Sequence, residues 1–233
     1  PWRPSRGARV PAGSKEGTGN GITVAVVTGQ HAFDVPGLYE LLGSMPGIDF
    51  FPQELENYVA DIGRVRGRYD AVVYYNYHQT VGGNGQRPET EAVLEELGES
   101  RQGIVLWHHG LVAFPRWKRW GELSGLEDRT FTAHKGQTIG VKVTDGGHPI
   151  TEGLSSWEMV DEVYAMEAVP EDSEILLTTA HRLSMKAIAW TREYGRAWVF
   201  CYQSGHDRET YGNASFRTVL ERGIRWAAGG LDG

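Results

Sequence analysis

The chain has 233 residues, 40% hydrophobic and 23% charged, with a formal net charge of −7. That length supplies a full core for one α/β domain, and the acidic balance argues against a nucleic-acid partner. A single cysteine, Cys201, excludes an intrachain disulfide and a Cys-based metal cluster.

No window approaches the roughly 20 apolar residues of a membrane helix, so no membrane partner is expected. One cysteine is compatible with a reducing cytosol, and a cytoplasmic location is the expectation. Residues 1–21, PWRPSRGARVPAGSKEGTGNG, are rich in Pro, Gly, Arg and Ser. They lack the apolar stretch of an intact signal peptide and read as an N-terminal tail ahead of a single domain over 22–230.

ITVAVVT (22–28) reads as a buried first strand, followed by the loop GQHAFDVPG. LYELLGSM (38–45) has helical spacing, with Leu38, Leu41, Leu42 and Met45 on one side. GIDFFP (47–52) is a second strand stopped by Pro52, and 54–66 holds a short helix. YDAVVYYN (69–76) is the third strand, leading into the glycine-rich loop YHQTVGGNGQRP. ETEAVLEELGES (89–100) is a helix with Val93, Leu94 and Leu97 inward. GIVLWHH (103–109) is the fourth strand, and Gly110 then lets the chain turn. Alternating β and α elements imply a parallel sheet with helices on both faces.

The second half is richer in strands: TIGVKVT (138–144), EMVDEVYAME (158–167), EILLTTA (174–180), KAIAWTRE (186–193) and RAWVFCYQ (196–203). The last two form a hairpin turning at Tyr194-Gly195. NASFRTVLERGIRWAAGG is an amphipathic helix, with Asn213 as its N-cap and Gly229 and Gly230 as its stop.

Ligands of open parallel sheets bind outside the carboxyl ends of the strands. His31, His78, His108, His109 and His206 all follow predicted strands, and Asp207 adjoins the last of them. His31 reads either as a residue that caps the following helix or bonds the loop backbone, or as a ligand contact, and His78 as a solvated loop residue or a contact. His134 and His181 lack a supporting pattern and read as surface residues. The glycine patterns VTGQHAFDVPG and GGNG (82–85) match no nucleotide-binding fingerprint. Eight tryptophans and ten tyrosines serve either core packing or a cleft whose flat rings stack on sugars, and composition alone favours packing.

GHPITEGL (147–154), DEVYAM (161–166), FCYQSGHD (200–207) and FRTVLERGIRWAA (216–228), in this order and spacing, resemble the trehalose-utilisation (ThuA-like) family. The similarity runs from about residue 22 to 229. It implies the class I glutamine-amidotransferase-like fold, a flavodoxin-like three-layer α/β/α sandwich with a mostly parallel central sheet and extra strands in the C-terminal half. It also implies a role in bacterial catabolism of trehalose and related disaccharides, including their 3-keto forms.

Amidotransferase-like enzymes carry a Cys nucleophile on the elbow after the fourth strand, and its activating His after a late strand. The resemblance puts His206 at the position of that His, and His108 at or next to the nucleophile. Cys201 lies inside a strand, so glutamine hydrolysis is rejected. Glu209 follows His206 by three residues rather than two, so the orienting role of the third triad member is not carried over.

Imidazole is a good general acid/base near neutral pH. Enolisation or β-elimination of a 3-keto sugar needs a base, and an acid or metal on the carbonyl oxygen. His108, His206 and Glu162 are the candidate catalytic residues. His31, His78, Trp107, His109, Tyr164 and Asp207 are candidate substrate contacts, with Trp107 and Tyr164 able to stack on a sugar or fill the core. A divalent metal such as Zn²⁺ is the sharper alternative, with His108, His109 and His206 as candidate ligands. Asp161 and Glu162 alternate along a strand, so one is expected to face the site and the other to be solvated or salt-bridged. The expected protein is a hydrolase, lyase or isomerase on a small sugar, compatible with a homo-oligomer. The alternative is a non-catalytic carbohydrate-binding or accessory protein on the same fold.

Overall fold

The computed structural model describes residues 21–79 and 88–231. The N-terminal tail as far as residue 20 and the GGNG segment of the glycine-rich loop lie outside the described residues. Strands β1 (Ile22–Thr28), β2 (Ile48–Glu54), β3 (Ala71–Tyr74) and β4 (Gly103–Trp107) occupy the first half of the chain. The second half carries β5 (Thr132–Val143), β6 (Trp157–Ala165), β7 (Glu174–Thr179), β8 (Ala187–Tyr194) and β9 (Ala197–Tyr202). All belong to one sheet in the order β2-β1-β3-β4-β9-β8-β7-β5-β6.

The first five strands of that order pair in parallel, and the rest pair antiparallel. The extra C-terminal strands therefore extend the parallel sheet at one edge. The parallel strands read as unbroken apolar runs because both faces are covered. Val24, Val26, Val105, Trp107, Phe200 and Tyr202 enter one core cluster, whereas Ala25, Val27, Ile104, Leu106, Val199 and Cys201 enter the other.

Helices α1 (Val35–Gly43) and α6 (Ala214–Ala227) cover the first face. Helices α2 (Leu55–Ala60), α3 (Pro88–Glu95) and α4 (Lys118–Ser124) cover the second. A short helix, α5 (Arg208–Tyr211), precedes α6. Asn213 caps α6, its side chain accepting from the Phe216 nitrogen, as expected. No helix among the described residues is long and apolar enough to cross a membrane.

Several expectations are corrected. Pro52 does not stop β2. It lies within the strand, which is tolerated because β2 is a sheet edge with one unpaired side. Helix α1 begins at Val35, where Asp34 rather than His31 is the cap. Helix α4 has no counterpart among the expected elements. Strand β5 begins six residues earlier than its apolar run, because its first part is exposed and pairs only with β6. The β8–β9 hairpin turns at Gly195-Arg196.

β4 ends at Trp107, and His108–Val112 form a 3-10 turn. The sharp change of direction falls on His108, with φ of +50°, not on Gly110. Gly110 serves close approach instead, since a Cβ there would overlap the Tyr74 carbonyl.

Candidate functional site

The loops that leave β1, β3, β4 and β9 at their carboxyl ends carry His31, Tyr77, His108, His109 and His206. The middle of β6 brings Asp161, Glu162 and Tyr164 to the same place through bonds to the segment after β9. The Tyr164 nitrogen donates to Gln203 Oε1 at 3.0 Å, and Asp161 accepts from the nitrogens of Gly205 at 3.0 Å and His206 at 3.1 Å.

At the centre, three ligating atoms form a closed triangle. His108 Nε2 and His206 Nδ1 each lie 3.2 Å from Glu162 Oε2, and 3.2 Å from one another. The Tyr164 hydroxyl is 3.0 Å from His108 Nε2. His108 Nδ1 lies 2.7 Å from the Gln203 carbonyl. A carbonyl only accepts, so this nitrogen carries a proton and Nε2 is the atom turned to the triangle.

His108 is fully enclosed, Glu162 is buried, and the His206 side chain is 14% exposed, so His206 is the solvent-side member. His108 is held in the left-handed region at a cost of about 1 kcal/mol. The resemblance put the elbow position at or next to this residue, and here His108 itself takes the left-handed conformation.

Burial opposes ionisation of Glu162, but hydrogen bonds and charge from His108 and His206 outweigh it and hold the carboxyl well below its usual range. The same contact with Glu162 raises His206 against the effect of burial. His31 and His109 move the other way. Burial, aided by the charges of His108 and His206, lowers His31, and burial with the neighbouring histidines pushes His109 far down. These two rings stack at a centroid distance of 4.2 Å, and the Nδ1 of each is buried without a protein partner.

The candidate residues thus separate. His108, Glu162 and His206 are brought together, with Tyr164 and the His31–His109 pair beside them. His109 is not in the ligand triangle, since its Nε2 sits 2.9 Å from the Tyr75 carbonyl; Glu162 takes the place expected for it. Tyr164 is buried and bonded to His108, so it is not a stacking platform. Trp107 is wholly buried, and its Nε1 donates to the Ser204 carbonyl at 2.9 Å. It supports the His206 loop from the core.

Asp207 caps α5, accepting from the Glu209 nitrogen. His78 stands apart. It is buried rather than solvated, stacked on Phe114, with Nδ1 3.0 Å from Asn76 Nδ2. His134 and His181 are half-buried, not surface residues. Cys201 is buried inside β9, where burial pushes its thiol up.

Asp161 is as buried as Glu162 and accepts from neutral donors, so the expectation that the member of the pair off the site is solvated or salt-bridged is corrected. Its Oδ1 also accepts from Thr210 Oγ1 at 2.8 Å. Sequence reasoning missed Gln203, whose backbone orients His108 and whose side chain holds Tyr164, and the half-buried rings of Tyr77 and Phe131. Phe131 meets Tyr164 edge-on at 5.0 Å and Tyr77 at 6.4 Å, forming an aromatic lip beside the cluster. Gln203 lies within the stretch FCYQSGHD, and that placement was the one signal for it. Tyr77 and Phe131 belong to no recognisable motif, so no local signal could have found them.

Residues 53–227 match the family model ThuA, described as trehalose utilisation. No curated relative matches the chain. Among solved structures, a ThuA-like protein from Parabacteroides merdae is 21% identical, with a TM-score of 0.70 over 90% of this chain and 91% of that one. A cytoplasmic protein from Salmonella typhimurium is 13% identical, with a TM-score of 0.60 over 88% and 98%. A GMP synthase subunit from Thermoplasma acidophilum is 12% identical, with a TM-score of 0.54 over 91% and 96%. These likenesses establish the amidotransferase-like fold.

Proposed function

The chain belongs to the ThuA trehalose-utilisation family, and from that premise we propose that it is a sugar-active enzyme whose reaction centre is the His108–Glu162–His206 cluster. The substrate is a trehalose-type disaccharide in its 3-keto form, and the reaction is proton abstraction beside the carbonyl with expulsion of the glycosidic substituent. A cytoplasmic setting is part of the proposal, supported by the description of the Salmonella relative.

The observation that carries this reading is the convergence of two imidazoles and one carboxylate on a single point at the strand ends. A sugar-binding or accessory protein needs aromatic and amide groups, not three titratable groups in mutual contact. The environments also drive the histidines apart. The cluster is electron-withdrawing on its solvent side, where His206 is raised by Glu162. His31, lowered by burial, stays neutral beside it, its ring centroid 6.2 Å from that of His206. Neighbouring groups whose proton affinities are separated in this way suit an acid and a base.

In the proposed step the cluster polarises the keto oxygen, and neutral His31 takes the proton from the adjacent carbon. The electron pair released forms a carbon–carbon double bond as the glycosidic C–O bond breaks. The leaving oxygen takes a proton from solvent water and departs as the free sugar, and His31 returns the abstracted proton to solvent. Glu162 is too weak a base for the abstraction and acts as the counter-charge. Tyr77 and Phe131 replace Trp107 as the rings that meet the sugar face.

The test is incubation with 3-keto-trehalose and with unmodified trehalose in D₂O, followed by NMR. Exchange of the proton next to the carbonyl and release of free glucose from the keto sugar alone are expected, both lost in His31→Ala. Binding of either sugar with neither exchange nor release would sink the enzyme reading in favour of an accessory role.

A further inference from the structure

We propose that His108 Nε2, His206 Nδ1 and Glu162 Oε2 are the protein ligands of one divalent transition-metal ion. This deepens the reading above by identifying what polarises the substrate oxygen, but it stands on ligand geometry and not on any substrate.

The first argument is proton bookkeeping. The Gln203 carbonyl, 2.7 Å from His108 Nδ1, fixes the proton of a neutral His108 on that nitrogen. Its Nε2 lone pair then points at a carboxylate oxygen 3.2 Å away, which is also electron-rich. His206 Nδ1 completes the triangle at 3.2 Å from both. The Tyr164 hydroxyl, 3.0 Å from His108 Nε2 and also hydrogen-bonded to Glu162, has a single proton to give to these two corners. A carboxylate oxygen and an imidazole lone pair facing each other inside a buried site need positive charge between them, which the metal-free protein takes from a proton on His206 Nδ1 and which a metal ion supplies when it replaces that proton.

The second argument is size. An ion held at about 2.0–2.1 Å by nitrogen and oxygen ligands in tetrahedral geometry sets those ligands roughly 3.3 Å apart. The observed edges of 3.2 Å match on all three sides. One carboxylate between two imidazoles, without thiolate, suits zinc, cobalt, iron(II) or manganese. Magnesium and calcium prefer all-oxygen sites.

The third argument is the outer layer. Metal-bound histidines pass their other N–H to an acceptor, as His108 does to Gln203. Asp161 fixes the backbone of the other two ligands, accepting from the nitrogens of Glu162 at 2.8 Å and His206 at 3.1 Å. The ligands arise from β6 and from loops after β4 and β9, so the pairs are locked before any ion arrives.

The experiment uses the full chain without a histidine tag, stripped with chelator and then dialysed against Zn²⁺, Co²⁺ or Mg²⁺. Metal content and the visible absorption of Co²⁺ are read for wild type, Glu162→Gln, His206→Ala and Tyr164→Phe, with circular dichroism confirming the fold of each. One equivalent of zinc or cobalt and none of magnesium is expected, with cobalt giving the strong bands of a tetrahedral site. Glu162→Gln and His206→Ala should each weaken binding by at least ~100-fold, more than outer-layer changes do, and Tyr164→Phe should retain the ion. Failure of wild type to hold zinc or cobalt, or retention unchanged in both ligand variants, overturns the proposal. Metal held without turnover of keto sugar would overturn the substrate reading and leave this one standing.

Discussion

The carboxylate of Asp161 holds the backbone nitrogen of His206 at 3.1 Å, across 45 residues of sequence. The same side chain accepts from Glu162 N, Gly205 N and Thr210 Oγ1. One buried carboxylate thereby sets the spacing between two corners of the candidate site while remaining outside it. Burial raises its carboxyl in spite of these four donors.

Asp161→Asn keeps the shape but replaces one acceptor oxygen with an NH₂ that faces N–H donors. A buried donor without a partner costs about 1–3 kcal/mol. Urea unfolding should show a loss in that range, and metal or substrate affinity should fall with it. A variant as stable as wild type would show that the carboxylate does not hold the loop.

The pH dependence of the metal-free protein separates the histidines. His206 is raised by its contact with Glu162, so its stabilising contribution is complete below the unfolded value near 6.5 and is lost as pH rises through the folded value. His31 and His109 are lowered, so they oppose folding as pH falls below the same unfolded value. Glu162→Gln removes the first effect and, because the Glu162 charge also raises His31, deepens the second at low pH. The stability difference between wild type and this variant, measured by denaturant at pH 6 and pH 9, should be larger at pH 6. A difference that grows toward pH 9 contradicts the pairing.

Gly205 has φ of +125°, a region essentially restricted to glycine, and a Cβ there would run into the Trp107 indole. Gly205→Ala combines backbone strain with overpacking, together about 3 kcal/mol or more. It should displace the Trp107 bond to Ser204 and carry His206 with it. Melting temperature and tryptophan fluorescence report both. An unchanged melting temperature would mean that the loop adapts freely.

Cys201 lies in β9 with Sγ 3.9 Å from the Ser124 carbonyl, and burial pushes its thiol up. It should resist a thiol reagent in the native state and react fully in denaturant. Cys201→Ala should fold at a cost of about 1 kcal/mol and leave sugar chemistry unchanged. Rapid native labelling, or loss of activity in this variant, would restore a role for the thiol.

The parallel half of the sheet was legible in the residues themselves. Strands covered on both faces must be apolar throughout, so ITVAVVT and GIVLW announce themselves. Helix α6 was equally plain, from its period and from Asn213. The rule that ligands bind at strand carboxyl ends singled out His108 and His206, the resemblance gave them triad positions, and Glu162 was added on residue type and location. Local sequence could not reveal that Trp107 is sealed in the core, that Asp161 is buried beside Glu162, or that Gln203, Tyr77 and Phe131 matter.

The physical reason is range. Strand periodicity dictates that Asp161 and Glu162 point to opposite sides, but whether a side is wet depends on what covers it. Here the loop after β9, more than 40 residues away in sequence, comes to both. Residue type and order determined the sheet, the helix faces and the histidines at its edge. Only the tertiary meeting of β6 with the ends of β4 and β9 decided which of them converge.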